Sequence, residues 1–229
     1  MIKIRRSDQR GLADHGWLQS RHTFSFAGYY DPEHMGVSSL RVINDDKVTT
    51  GRGFDTHSHE DMEIISYVKK GTIEHKDSMG NVEVLPAGEF QLMSAGTGVT
   101  HSEYNPSTTE PLEFLQIWVQ PNVYGIEPGY QQKRFEQKDG LQLIASPDAR
   151  EGSLLIHQSA CLYQLRLNEG SSVSHELESG RCIYVHIVSG ELSVNGETLN
   201  EGDGAEVKAV DAVDFIAMSH TEALVFDLP

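Results

Sequence analysis

At 229 residues with a formal net charge of −16 at pH 7, the chain has room for one large domain or two of about 110 residues, each with a real core. Its acidity disfavours direct binding to nucleic acid or to an anionic membrane, because phosphate recognition draws on clustered Lys and Arg. No apolar stretch approaches the roughly 20 residues that span a bilayer, and the first residues lack the apolar core of a secretory signal. A soluble, cytoplasmic protein is expected.

In chain order, the first feature is the short basic run Lys3-Ile4-Arg5-Arg6, best read as a solvated strand end. Short β-type runs then recur at 41–44, 64–69, 82–85, 90–93, 114–119, 154–157, 162–167, 183–188, 192–194, 213–217 and 223–227. Turn glycines, Asp and Asn separate them at the spacing of a sandwich or barrel. Helix should be scarce and short, since few segments keep a 3.6-residue period. Asn195-Gly196 between two such runs predicts a two-residue type I′ hairpin. The stretch 121–140, with Pro128-Gly129 and Gln131-Gln132-Lys133-Arg134, reads as a linker. It divides the chain into halves of similar rhythm, 1–125 and 126–229. Cys161 and Cys182 lack CxxC spacing and read as reduced core thiols.

The chemistry concentrates in the first half. His57 and His59 are spaced i, i+2, and so are His101 and Glu103. Alternate side chains on a strand share a face, so each pair presents both groups inward. Two such strands facing each other inside a barrel would offer three imidazoles and one carboxylate to one ion. That is a mononuclear site of the non-haem iron kind, suited by donor type to Fe, Ni, Cu, Co, Mn or Zn. The absence of a cysteine ligand argues against a closed structural zinc site. Glu63 shares strand parity with His57 and His59 if the strand is unbroken, and is expected behind the ligands, holding a histidine tautomer. His15, His22, His34, His75, His157 and His186 have no ligand-spaced partner and read as surface or hydrogen-bonded core residues. Phe24, Phe26, Phe54, Met93, Phe114 and Trp118 are barrel core, or in part the walls of a flat apolar slot.

The pattern Gly51-x5-His57-x-His59-x3-Glu63, followed by Gly80-x5-Pro86-x-Gly88 and His101-x3-Asn105, resembles the two cupin motifs. His101 comes 13 positions after Gly88, later than in an ordinary cupin, and this longer spacing is similar to that of the pirin branch. So are the blocks at 25–32, 40–46, 75–81, 93–98 and 101–106. In the second half, Ser174-His175, Gly190 and Gly196 echo the first, but Leu177 stands near where a second histidine would be. The resemblance therefore implies an all-β bicupin of two antiparallel jelly-roll barrels packed on each other, the N-terminal one metal-binding and the C-terminal one degenerate and metal-free. It implies iron, as Fe(II), held by His57, His59, His101 and Glu103. It also implies a quercetin 2,3-dioxygenase activity, in which Glu103 takes the proton of a flavonol 3-hydroxyl and O2 opens the ring with release of carbon monoxide. The alternative within the same family is a metal-dependent regulator that binds a transcriptional or metabolic protein partner without turnover. A monomer is expected, because the two barrels can pack within one chain.

Overall fold

The computed structural model describes residues 1–229. Up to residue 134 the chain forms β1 (Ile2–Arg5), β2 (Gly11–Asp14), β3 (Leu18–His22), β4 (Leu40–Val48), β5 (Gly53–His59), β6 (Glu63–Lys70), β7 (Thr72–Asp77), β8 (Val82–Pro86), β9 (Glu89–Ser94), β10 (Val99–Tyr104), β11 (Leu112–Val119) and β12 (Gly129–Arg134). The remainder forms β13 (Gly140–Ser146), β14 (Leu154–Leu155), β15 (Cys161–Leu167), β16 (Ser172–Glu176), β17 (Cys182–Ser189), β18 (Glu191–Val194), β19 (Glu197–Asn200), β20 (Gly204–Lys208), β21 (Ala212–Ala217) and β22 (Thr221–Leu228). Helix is confined to two 3-10 turns, Ser7–Gln9 and Arg150–Gly152. No helix is long and apolar enough to cross a membrane.

The strands form two barrels, each pairing a seven-stranded with a four-stranded sheet. The first sets β12-β9-β6-β11-β4-β3-β2 against β5-β10-β7-β8, and the second sets β1-β20-β17-β22-β15-β13-β14 against β16-β21-β18-β19. Pairing is antiparallel throughout except for the short β13–β14 contact. The expected all-β bicupin is what the chain adopts. Asn195 and Gly196, at φ 47° and 86°, make the turn between β18 and β19, as a type I′ hairpin requires.

The two seven-stranded sheets pack back to back, and strand alternation explains how. In β11, Leu115, Ile117 and Val119 join a core of 22 buried residues shared by both barrels, to which β22 contributes Leu224, Phe226 and Leu228. The alternate residues of β22, Ala223 and Val225, join a separate core of 16 inside the second barrel. Strands apolar on both faces read as continuous hydrophobic runs, which is why 114–119 and 223–227 stand out in the sequence. Truncating one such interface side chain to Ala costs about 2–5 kcal/mol.

The first barrel is built differently. Its own apolar interior is split into clusters of only seven and four residues. Between them runs a row of polar side chains in register across the large sheet: His22, Asn44, Gln116, Ser66, Gln91 and Gln132. A polar row through a barrel interior costs core burial, so it marks where this barrel serves something other than stability.

Two segments depart from the expected layout. The stretch 121–140 is not all linker: β12 pairs with β9 from Gly129 opposite Ser94 to Arg134 opposite Glu89. Its polar residues suit an edge strand, with Gln132 donating to the Val84 carbonyl at 2.9 Å and Arg134 paired with Glu89 at 3.1 Å. The short run at the start is β1, which pairs with β20 in the second barrel. Each barrel thus borrows a strand from across residue 125.

Candidate metal centre

β5 and β10 are antiparallel neighbours in the small sheet, with His57 directly across from His101 and His59 across from Val99. Where two strands facing each other inside the barrel were expected, the two are hydrogen-bonded neighbours; the three imidazoles converge because cross-strand neighbours on one face lie only about 5 Å apart. The Nε2 atom of His101 lies 3.1 Å from Nε2 of both His57 and His59. A bulge between His101 and Glu103 puts Phe54 opposite Glu103. There Gly53 has no substitute, because a Cβ on it would sit 2.2 Å from the Glu103 carbonyl oxygen.

Three nitrogens pointed at one another suit a cation. His57 Nδ1 lies 2.7 Å from the Asp55 carbonyl oxygen, so it carries the proton and leaves the Nε2 lone pair for a ligand. Burial, with the neighbouring His101 and His57, pulls His59 down to about 4. Burial, with His57 and His75, pulls His101 down to about 3. Both rings are therefore neutral near pH 7 and can donate lone pairs. The donor set fits a divalent transition metal.

Glu103 is buried at the inner end of the site. Ser66 Oγ donates to its Oε1 at 3.2 Å and Gln116 Nε2 to its Oε2 at 3.3 Å. Its carboxylate groups closely with His101 and His75 rather than with all three of the convergent histidines. His75, expected as an isolated surface or hydrogen-bonded core histidine, is buried beside Glu103 and His101. It lies opposite Glu103 on β7, and Asp77 opposite His101, with His75 Nε2 at 3.0 Å from Asp77 Oδ2. His75 and Asp77 are themselves spaced i, i+2, which was the available signal.

Glu63 does not hold a metal histidine. Asp61, at φ 46°, breaks the chain between β5 and β6, so strand parity does not carry over from His59. Its Oε2 accepts instead from Ser94 Oγ at 3.0 Å and from the His157 backbone N–H at 3.2 Å, a link to the second barrel. Asn105 is likewise a structural clasp: its side-chain amide donates to the carbonyl of Glu110 at 2.9 Å while its oxygen accepts from Ser107 N–H.

A cavity of about 730 Å3 opens over His57 and His59. Phe26, Phe54 and Trp118 line it, whereas Phe24, Met93 and Phe114 are core. Trp118 meets His59 edge-on at 5.0 Å and Phe26 at 5.3 Å, and Phe54 meets Trp17 at 5.4 Å. These edge-to-face contacts fix the rings as rigid apolar walls.

In the second barrel β16 and β21 occupy the places of β5 and β10. His175 lies opposite Val213 and Val173 opposite Phe215, while Val194 lies opposite Phe215 on the other side. Val213, Phe215 and Val194 thus stand at the registers of His101, Glu103 and His75. His175 pairs with Asp227 at 3.0 Å, and Val213 and Phe215 belong to the apolar core.

Residues 3–119 match the Pirin family model, and residues 143–228 match that of the quercetinase C-terminal cupin domain. The chain is 52% identical to a quercetin 2,3-dioxygenase of Escherichia coli K12, covering 100% of this chain and 99% of that one. The crystal structure of the bacterial pirin YhhW from Escherichia coli in complex with nickel(II) superposes with a TM-score of 0.98 at 52% identity, covering 100% of this chain and 99% of that one. A quercetin 2,3-dioxygenase structure from Acinetobacter baumannii, 20% identical, shares the fold over 98% of this chain and 85% of that one, with a TM-score of 0.78. With motif, fold and full-length similarity in agreement, the chain belongs to the pirin family.

Proposed function

We propose that this protein is a metal-dependent quercetin 2,3-dioxygenase, which opens a flavonol ring with O2 and releases carbon monoxide, with Fe(II) as its working metal. One observation carries the reading: His57, His59 and His101 converge beside an aromatic-walled cavity of about 730 Å3. That size suits a ligand of three fused or linked rings. The 52% identity to a protein named for this reaction supports it.

His57, His59, His101 and Glu103 would hold the metal, which when bound supplies a Lewis acid for the substrate oxygen and a route for electrons to O2. The chain's own residues do the rest. Phe26, Phe54 and Trp118 clamp a flat substrate by its faces and edges and keep water from it. Glu103 accepts the 3-hydroxyl proton: each of its oxygens takes one hydrogen bond from the protein, and a carboxylate has lone pairs beyond these. Gln116 both lines the cavity and donates to Glu103, so it sets the carboxylate's orientation toward the substrate.

The test is aerobic quercetin turnover, read as carbon monoxide release, by protein stripped of metal and reloaded anaerobically with Fe(II), beside His101→Ala. Metal-dependent release that the substitution abolishes is expected. Stoichiometric metal binding without carbon monoxide, with Fe(II), Ni(II), Co(II) and Cu(II) alike, would overturn the reading and favour a regulatory role.

A further inference from the structure

The wall of the cavity away from the metal histidines is polar, and its polar atoms are short of partners. His22 Nδ1 and Asn44 Oδ1 have no hydrogen-bond partner within the protein, and Ser20 Oγ and Asp46 Oδ1 have none beyond the contact of their two side chains with each other across β3 and β4. The four residues are 2, 4, 2 and 2% exposed, and all four line the cavity that His57 and His59 also line. Buried polar groups are paired in folded proteins with few exceptions, and each orphan carries its full desolvation cost. Two orphans and a pair of groups with only each other, on one wall of one cavity, call for a ligand that supplies partners.

Their placement is fixed by the large sheet. His22 lies beside Asn44, and Ser20 beside Asp46, across β3 and β4. On the other side of β4, Asn44 lies beside Gln116 and Asp46 beside Phe114. The two pairs therefore form a flat patch two residues wide and two strands deep, continuous through Gln116 with Glu103. Rigid strands position such a patch better than loops do.

The atom types define the ligand. Asn44 Oδ1 only accepts, Ser20 Oγ donates or accepts, and a His nitrogen does either according to tautomer. A hydroxyl group, one donor and two lone pairs, matches each of them. The adjoining walls are aromatic. The combination fits an aromatic ring bearing several hydroxyls and not a charged or aliphatic ligand.

We propose that Ser20, His22, Asn44 and Asp46 form a hydroxyl-reading subsite that selects a polyhydroxylated aromatic ring while the reacting end of the substrate lies at His57 and His59. This rests on the flavonol reading above and goes beyond it by naming what decides among flavonols. A site built to pair hydroxyls rejects analogues that lack them, because its own groups are then left buried and unpaired.

Both tryptophans of the chain, Trp17 and Trp118, line the cavity, so quenching of intrinsic fluorescence reports occupancy. The experiment compares anaerobic Kd values for quercetin and for 3-hydroxyflavone, which lacks every ring hydroxyl but the reacting one, in metal-loaded wild type, in Ser20→Ala/Asn44→Ala and in the nearly isosteric Asn44→Leu, which cannot hydrogen-bond. Wild type should bind quercetin about tenfold or more tighter than 3-hydroxyflavone, as expected of unpaired buried groups. The variants should bring that ratio toward one. An equal ratio in wild type and in every folded variant overturns the subsite. Turnover of 3-hydroxyflavone by wild type is scored separately: if neither flavonol releases carbon monoxide, the functional reading fails, while a Kd ratio that collapses in the variants still supports the subsite.

Discussion

His75 Nε2 and Asp77 Oδ2 stand 3.0 Å apart, both side chains fully buried, on the strand next to His101 and Glu103. Burial alone would raise the Asp77 carboxyl, but hydrogen bonds from Asn81 and His75 hold it below the usual carboxylate range. The ionised carboxylate can only accept, so the proton of His75 sits on Nε2. Asp77 Oδ1 also takes the backbone N–H groups of Met79 and Asn81 at 2.9 and 3.0 Å. The turn after β7 is thereby locked to the strand that lies beside His101 and Glu103.

Asp77 holds His75, whose ring packs 5.3 Å from that of His101, so Asp77→Asn should weaken metal binding, by less than the roughly 10- to 100-fold lost with a group bonded directly to a ligand. Competition against a chromophoric chelator measures it. An unchanged affinity would make the pair purely structural.

Glu103→Gln keeps the shape and one acceptor oxygen for Ser66 or Gln116, but puts an NH2 donor in place of the other oxygen and removes the basic group. Turnover, measured as carbon monoxide release at saturating quercetin, should fall about 10^2- to 10^4-fold. Full turnover would end its role as the base.

Asp46 gives a pH signature. Burial, against a hydrogen bond from Ser20 and the pull of Lys69 and reinforced by the Asp45 and Glu103 carboxylates, raises its carboxyl from 3.8 to about 7. The native state then holds a proton that the unfolded chain has released, so this group's contribution to stability is complete below 3.8 and is lost as pH rises through about 7. Asp46→Asn removes that loss. Its unfolding free energy relative to wild type should therefore climb between pH 4 and pH 8, on the order of a few kcal/mol. Urea melts of both proteins without metal, at several pH values, measure the difference, in which the titration of the histidines cancels. A flat difference would place the Asp46 carboxyl in its ordinary range.

Glu63→Ala should cost about 1–3 kcal/mol by leaving Ser94 and the His157 N–H without their buried acceptor. Metal stoichiometry should stay at that of wild type, because Glu63 joins the barrels and does not touch the metal histidines. A joint loss of stability and metal would restore it to the site.

Much of this was legible locally. The i, i+2 spacings of His57/His59 and His101/Glu103 carry a strand parity that any barrel must honour, and apolar runs such as 114–119 announce strands buried on both faces. What escaped depends on pairing partners. Gln131-Gln132-Lys133-Arg134 becomes β12 only because β9 offers an open edge. The parity that pointed Glu63 inward fails at the left-handed Asp61. The polar row from His22 to Gln132 collects one residue from each of six strands spread over 111 positions of sequence, and no local period betrays it.

The back-to-back packing of the two large sheets has a consequence for how such a molecule can change. The shared interface and the apolar second barrel anchor folding, so the polar row and the cavity wall of the first barrel are relieved of that duty. Residues there can be exchanged for others that suit a different ring or a different metal while the chain still finds its native shape. One copy of the duplicated barrel serves as foundation, and the other is free to be rewritten.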